Sequence, residues 1–314
     1  MWANSRIMQI LTEENITVDK PFVATIGFFD GVHKGHQYLI SQLQTLAKAS
    51  GMGSLVITFR EHPRLVVQPD ADVSLLTTNE QKCRILENLG IDATLLLNFT
   101  SEMAKMTAYQ FMKYLHDNLQ VRVLLIGYDH RFGHNRSEGF DDYVKYGQQI
   151  GIQVIQAKEE RISSEQGISS SAVRQFIQKG DMMGACECLG RFYSFTGKVI
   201  PGYHKGSNLG FPTANLKLDI PNRLLPPVGV YVVWASFFGR TYKAMLNIGY
   251  RPTISFDGNI TLEVHLLNFS GEIYGESIEV EFVHRLRDEV KFRSAEELVE
   301  QLQRDARSVD IYLH

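Results

Sequence analysis

Thr25-Ile26-Gly27-Phe28-Phe29-Asp30-Gly31-Val32-His33-Lys34-Gly35-His36 runs from an apolar strand into two glycines and a histidine pair spaced His-x-Gly-His. Val23, Ile26 and Phe28 supply a buried strand, and Gly27 and Gly31 let backbone N–H groups come close to an oxyanion. From about Gly35 the apolar positions Tyr38, Leu39, Leu43, Leu46 and Ala47 follow a helical period, which places His36 on a first turn. A helix N-terminus favours anions, and imidazoles at i and i+3 can bracket a phosphate as charge develops during displacement. A plain β–α turn with two idle histidines fits the same spacing, so spacing alone leaves both readings open.

Outward from this stretch the first half of the chain alternates. Residues 23–28, 54–59, 94–97, 121–126 and 153–157 read as buried strands, and 35–49, 79–89, 108–119 and 140–150 as helices between them. Strand–helix alternation predicts a doubly wound parallel sheet covered on both faces. Ligands in such sheets sit at the carboxyl ends of strands, where the histidine pair and Gly127-Tyr128-Asp129 both fall. After about Arg191 the period changes to two. Residues 194–200, 229–238, 241–248, 261–269 and 277–283 alternate or run apolar between Gly, Pro and Asn, which predicts an antiparallel β-barrel. A closing C-terminal helix starts near Ser294, with a Ser-x-x-Glu capping box to Glu297 and Leu298, Leu302, Ala306 and Val309 on one face. The expected domains are 1–185 and 186–314, joined through a short helix between Gly180 and Phe192.

Composition sets outer limits. A chain of 314 residues exceeds one ordinary core, and 44% apolar with 21% charged residues is globular. A net charge of −3 offers no basic excess for coating nucleic acid. No apolar run approaches a membrane span and the first residues lack a signal-peptide pattern, so the expected place is the cytoplasm. Cys83, Cys186 and Cys188 are odd in number, and Cys186-Glu187-Cys188 has no second ligand pair for a metal. Oligomeric state is not decided by the sequence; a monomer is favoured.

Gly27 through His36 resembles the nucleotidylyltransferase signature, in the form used by bacterial FAD synthetases. That resemblance implies that Gly27, Asp30, Gly31 and Gly35 line ATP phosphates and that His33 and His36 act at the α-phosphorus. Ile168-Ser169-Ser170-Ser171-Ala172-Val173-Arg174 reads first as a hydroxyl-capped helix start. It also resembles the family's Ile-Ser-Ser-Thr-x-x-Arg, which implies phosphate contacts from Ser170, Ser171 and Arg174; Ser171 replaces the usual threonine. Gly127-Tyr128-Asp129-His130-Arg131-Phe132-Gly133 resembles Gly-x-Asp-Phe-x-Phe-Gly, with His130 for phenylalanine. This implies that Asp129 meets the flavin or the metal–nucleotide, and Arg131 and Arg136 could meet the FMN phosphate. Phe59-Arg60-Glu61-His62-Pro63 departs at Glu61 from the family's Phe-x-Pro-His-Pro.

In the second half, Gly206-Ser207-Asn208-Leu209-Gly210-Phe211-Pro212-Thr213-Ala214-Asn215 is the most specific string. Gly206 and Gly210 permit close approach to phosphates, and Thr213 and Asn215 offer neutral oxygens suited to Mg²⁺. A loop around a Pro turn is the plain alternative. The string resembles the riboflavin kinase motif Gly-x-Pro-Thr-Ala-Asn. Around it lie Gly229-Val230-Tyr231, Asn247-Ile248-Gly249-x-Arg251-Pro252-Thr253, Leu262-Glu263-Val264-His265, Tyr274-Gly275 and Arg287-x-Glu289-x-Lys291-Phe292. Ser207 stands where the family often has arginine, so a phosphate contact there is missing or supplied by Lys205. Glu263 reads from its strand alone as a solvent-facing carboxylate. The resemblance makes it the base for riboflavin's 5′-hydroxyl, and makes Arg287, Glu289 and Phe292 flavin contacts.

Taken over residues 20–310, the chain looks like a bifunctional riboflavin kinase/FAD synthetase. The resemblance implies Mg²⁺ as cofactor, riboflavin, FMN and ATP as partners, and FMN and FAD as products. A nucleotidylyltransferase for another phosphate acceptor would need no appended barrel. A flavin-binding protein with a decayed site would have lost some of His33, His36, Thr213, Asn215 and Glu263.

Overall fold

The computed structural model describes residues 7–68, 70–128, 130–134, 138–159, 168–201, 213–218, 220, 222–250 and 260–313. Asp129, Arg136, Lys205, Gly206, Ser207, Gly210 and Arg251-Pro252-Thr253 lie outside them. The chain divides into two compact units, residues 1–168 and 169–314.

The first unit contains strands β1 (Gln9–Leu11), β2 (Phe22–Ile26), β3 (Gly53–Phe59), β4 (Ala93–Leu97), β5 (Val121–Ile126) and β6 (Gln153–Gln156). They form one sheet in the order β1-β4-β3-β2-β5-β6, with every pairing parallel. Helices α1 (Lys34–Ser50), α2 (Pro63–Val67), α3 (Asn79–Asn88), α4 (Ser101–Ala104), α5 (Ala108–Leu119) and α6 (Phe140–Ile150) connect them. The pleat sends successive side chains to opposite faces. Phe22, Ala24, Leu55, Leu95 and Leu124 pack with Phe111, Leu115 and Tyr143 of α5 and α6, whereas Val23, Val56, Leu96 and Val123 pack with Ile40, Leu43 and Leu86 of α1 and α3. Both faces are therefore dry, and the strands read as continuous apolar runs. The chain leaves β2 toward β3 and β4, then returns to place β5 on the other side of β2. This reversal is a topological switch point, and the crevice beyond it is where open α/β sheets take ligands.

The second unit opens with α7 (Ser170–Gln178) and α8 (Met182–Leu189). Strands β7 (Tyr193–Ile200), β8 (Ala214–Leu218), β9 (Gly229–Phe237), β10 (Arg240–Tyr250), β11 (Ile260–Leu266) and β12 (Ser277–Arg287) follow, closed into a barrel in the order β10-β11-β8-β7-β12-β9 with antiparallel pairing. Tyr193, Phe195, Tyr231 and Phe282 fill it, each fully buried. The last helix, α9 (Ala295–Tyr312), lays Leu302, Ala306 and Val309 over Val232, Met245 and Val283. Its cap differs from the expected box. Ser294 accepts from the Glu297 N–H, but the Glu297 carboxylate accepts from the Arg293 N–H at 3.0 Å. β1 and β8 are absent from the sequence reading. β1 has only three residues with one of them buried, and β8 begins inside the string read as a loop.

Candidate active sites

Past the end of β2 the chain makes an uncommon turn. Phe29 (φ 54°), Gly31 (φ 77°) and Val32 (φ 41°) all have left-handed backbone. For a β-branched residue this is a true outlier, and strained residues cost about 1–3 kcal/mol each unless their surroundings over-determine them. The surroundings do. The buried Asp30 carboxylate accepts from the backbone N–H groups of Leu76 and Thr77 and from the Thr77 hydroxyl, at 3.0–3.1 Å. The Thr77 Oγ1 in turn accepts from the Gly31 N–H at 3.1 Å. On the other side, Lys82 of α3 is 1% exposed. Its Nζ donates to the Phe28 carbonyl (3.0 Å), the Thr58 hydroxyl (3.1 Å) and the Phe59 carbonyl (3.2 Å). Burial lowers the Lys82 pKa to about 8, with the Asp30 charge opposing that shift.

This turn delivers the two histidines. His33 is the N-cap of α1, its Nδ1 accepting from the His36 N–H at 3.3 Å. That bond leaves the His33 proton on Nε2 and satisfies one free N–H of the helix start. The two rings stack at 3.7 Å between centroids and 20° between planes, and Phe29 meets His36 edge-on at 5.0 Å. Gly35 keeps this spot open: a Cβ on it would sit 3.2 Å from the His33 ring, a tight contact that would press on it. His36 is driven well below its usual pKa, first by burial and then by the charges of His33, Lys82 and His130. At neutral pH it presents a neutral imidazole, whose buried Nδ1 has no hydrogen-bond partner among the described residues. The sequence reading did not foresee this; it rests on neighbours remote in sequence.

Around the turn the sheet's carboxyl end is hollow. A cavity of about 290 Å³ is lined by Ile126, Gly127, Tyr128, His130, Arg131 and Gln156, and a smaller apolar one of about 60 Å³ by Ile26, Phe59, Phe99, Met106, Phe111 and Phe132. His62 caps α2 through its Nδ1 and lies edge-on to Phe28 at 4.5 Å. In the second unit, the Ser169 side chain caps α7 by accepting from the Ala172 N–H, so Ser170, Ser171 and Arg174 occupy the first turns of that helix. The plain cap reading thus holds for Ser169.

The barrel assembles its candidates across strands. Glu263 of β11 lies opposite Asn215 of β8 on one side and Asn247 of β10 on the other. Directly opposed residues point to one face, so this row puts a carboxylate between two carboxamides; all three are half-buried. Thr213 is exposed, just before β8. Two residues further along β10, Gly249 makes room for the Glu289 carboxylate, which a Cβ there would strike. Arg287 is held by α9: its Nη2 and Nε donate to the Asp305 carboxylate at 2.7 and 3.0 Å, and its guanidinium lies 5.9 Å from the Phe292 ring. Of two register shifts in β12, between Phe282 and His284 and between Arg285 and Arg287, the second separates the two arginines. Arg285 reaches instead for Asp288, the Val228 carbonyl and the Tyr231 hydroxyl.

Sequence reasoning missed Lys82, Thr77, Asn247 and Asp305 as partners of these groups. A lysine at a helical position reads as solvated, and an aspartate on a closing helix as surface charge. The one available signal was Asn247-Ile248-Gly249, quoted as surroundings without a role.

The comparisons agree with both halves. A family model for FAD synthetase matches residues 15–172, and one for riboflavin kinase matches residues 189–313. Among curated proteins, the bifunctional riboflavin kinase/FMN adenylyltransferase of Listeria monocytogenes is 33% identical over 94% of this chain and 93% of its own. The proteins of the same description from Pseudomonas fluorescens and Escherichia coli K12 are 36% and 35% identical, covering 88% and 90% of both chains. A crystal structure from Streptococcus pneumoniae described as a macrolide-efflux protein superposes with a TM-score of 0.87 at 29% identity, over 96% of this chain and 99% of that one. Among the described residues of the present chain no helix is long and apolar enough to cross a membrane. With the adenylyltransferase model on the half that bears the histidine pair and the kinase model on the half that bears Glu263, the chain belongs to the bifunctional riboflavin kinase/FMN adenylyltransferase family.

Proposed function

We propose that the row Asn215–Glu263–Asn247 is where riboflavin is phosphorylated, and that the β2–α1 turn is where the resulting FMN is adenylylated. The observation that carries most weight is the register that sets Glu263 directly opposite Asn215. A strand carboxylate facing solvent needs no such neighbours. One positioned beside the Thr213-Ala214-Asn215 segment can take the proton of the 5′-hydroxyl as that oxygen attacks the γ-phosphorus. Phosphoryl transfer asks chiefly for positioning and charge neutralisation, so one base is enough. Glu289 over Gly249 and the Arg287–Phe292 pair then border the flavin.

The donor set fits Mg²⁺. Thr213 and Asn215 offer neutral oxygens, and the described residues contain no cluster of three or more His, Cys, Asp or Glu that would make a complete protein cage. Thr213 and Asn215 would hold such a hard cation, which would supply charge neutralisation to the nucleotide phosphates.

At the other site, ATP places its α-phosphorus against the stacked imidazoles and the FMN phosphate displaces pyrophosphate in line. His33 and the neutral His36 donate N–H groups to the oxygens that gain charge; neither forms an adduct. Gly27, Gly31 and Gly35 keep the backbone close, while Ser170, Ser171 and Arg174 are assigned to ATP phosphates on their motif. The aromatic side chains of Phe59 and Phe132 offer apolar contact to the flavin, and Arg131 at the rim of the larger cavity suits the FMN phosphate. Adenylyl transfer is assigned to residues 1–185 and the kinase to 186–314, in a monomer of the cytoplasm. Cys83, Cys186 and Cys188, none of them in a disulfide, suit that compartment.

Chromatography of products from riboflavin and Mg-ATP tests the reading. FMN followed by FAD supports it. FMN alone would leave the first unit without its assigned step, and no flavin nucleotide at all would overturn both.

A further inference from the structure

Lys82 and Thr77 sit on opposite flanks of the same strained turn. Thr77 joins two of its groups, donating to the Asp30 carboxylate and accepting from the Gly31 N–H. Lys82 holds the turn's entry, and the Thr58 hydroxyl that accepts from it also donates to the Phe28 carbonyl at 2.9 Å. Both residues belong to one short segment. Thr78 caps α3 in a reciprocal box with Gln81, which fixes residues 76–82 as a unit. All three ammonium protons of Lys82 are used on protein oxygens, and it lies almost entirely out of solvent. It therefore cannot touch ATP. A buried ammonium is unfavourable for stability, so its placement beneath the histidine turn points to positioning. Asp30 belongs to the same device, because its carboxylate faces the protein at Leu76 and Thr77.

We propose that Lys82 and Thr77 are positioning residues for adenylyl transfer: through the Phe28 carbonyl and the Asp30–Gly31 peptide they hold the β2–α1 turn in the conformation that sets His33 and His36. The inference rests on the assignment of adenylylation to that turn. Small misplacements of reacting groups cost up to about 10²-fold in rate while leaving remote binding contacts in place.

The test uses the full chain and follows FAD formation from FMN and Mg-ATP. Lys82→Met and Thr77→Val are compared with His36→Ala, with riboflavin phosphorylation by the same samples as an internal reference. Lys82→Met and Thr77→Val should each lower the adenylylation kcat about 10- to 100-fold. The KM for ATP and the number of ATP-analogue sites should stay near those of the parent, and kinase activity should be unchanged. Thr77→Ser restores the hydroxyl and should return kcat to within about threefold of the parent, which a general loss of folding would not allow. The double variant should lose less than the product of the single losses, since both residues hold one turn. Parent-like kcat in Lys82→Met and Thr77→Val beside an inactive His36→Ala would overturn the inference and leave the site assignment standing. Rate losses that follow lost binding sites, or that Thr77→Ser does not rescue, would also overturn it by showing a merely structural role. An active His36→Ala would remove the site assignment itself. If Lys82→Met does not fold, the Thr77 pair decides.

Discussion

The first unit hangs its candidate groups on a turn beyond the end of a strand, whereas the second carries them on the strands themselves. In the sheet unit, His33 and His36 owe their placement to left-handed backbone at Phe29, Gly31 and Val32, and that backbone is held by Asp30, Thr77 and Lys82. In the barrel, Glu263 owes its place to ladder register between Asn215 and Asn247, which the closed sheet provides without strain. The lesson concerns vulnerability. A site made by register is sensitive mainly at its own functional groups; a site made by a strained turn is sensitive at its supports as well.

The sharpest way to break that contrast is Glu263→Gln. The carboxamide keeps the size and one acceptor but takes no proton, so kinase kcat should fall about 10²- to 10⁴-fold with little change in riboflavin or Mg-ATP binding. Steady-state FMN formation checks it, and a kcat within about twofold of the parent would return Glu263 to the status of a surface carboxylate. His36→Ala comes next. Loss of one preorganised donor should cost about 10²- to 10³-fold in adenylylation and leave riboflavin phosphorylation nearly intact. Equal losses in both activities would mean that the two sites are not separate.

Truncation sharpens the comparison in a different way. The compact unit begins at 169, and α8 packs on β7 and β12 with Met182, Ala185 and Leu189 buried. A fragment 186–314 cuts through this helix. Urea titration should find it about 3 kcal/mol or more less stable than 169–314, mainly from the lost apolar burial. Equal midpoints would show that α7 and the start of α8 contribute nothing to the barrel.

The smallest expected effect is a pH dependence. The Lys82 pKa lies at about 8 in the folded chain, below the ordinary lysine value of 10.5. Between those values the unfolded chain binds the proton and the folded one does not, so stability rises with pH, by an amount on the order of 3 kcal/mol across the window. Burial of His36 acts in the same sense on the acid side, stability falling as pH drops below 6.5. Denaturant unfolding of the first unit at pH 7.5 and 10 should show the alkaline gain in the parent and not in Lys82→Met. A gain that persists in Lys82→Met would assign it to another group.

This division also explains what could be read from the sequence. The helix at 140–150 and the strand at 121–126 are seen where they were expected, because burial recurs at helical spacing in the first, at Tyr143 and Gly147, and runs almost unbroken in the second. Glu263 stood out only through its resemblance, since a carboxylate in an alternating strand carries no mark of what lies beside it. Its neighbours Asn215 and Asn247 come from strands whose pairing is set by tertiary register. Lys82 was least legible: helical period puts it among ordinary surface lysines, and only the approach of Phe28, Thr58 and Phe59 from other segments makes it a buried donor.

Closure of the barrel has a consequence for how the second unit reaches its final form. β9, β10 and β11 follow one another along the chain, but the ring is sealed where Phe195 of β7 meets Val280 of β12. Contacts between segments so distant along the chain form slowly, because loop-closure entropy must be met before they contribute. Refolding of the barrel is therefore expected to wait on the β7–β12 seam, and substitutions such as Phe195→Leu should be felt there first as a change in rate.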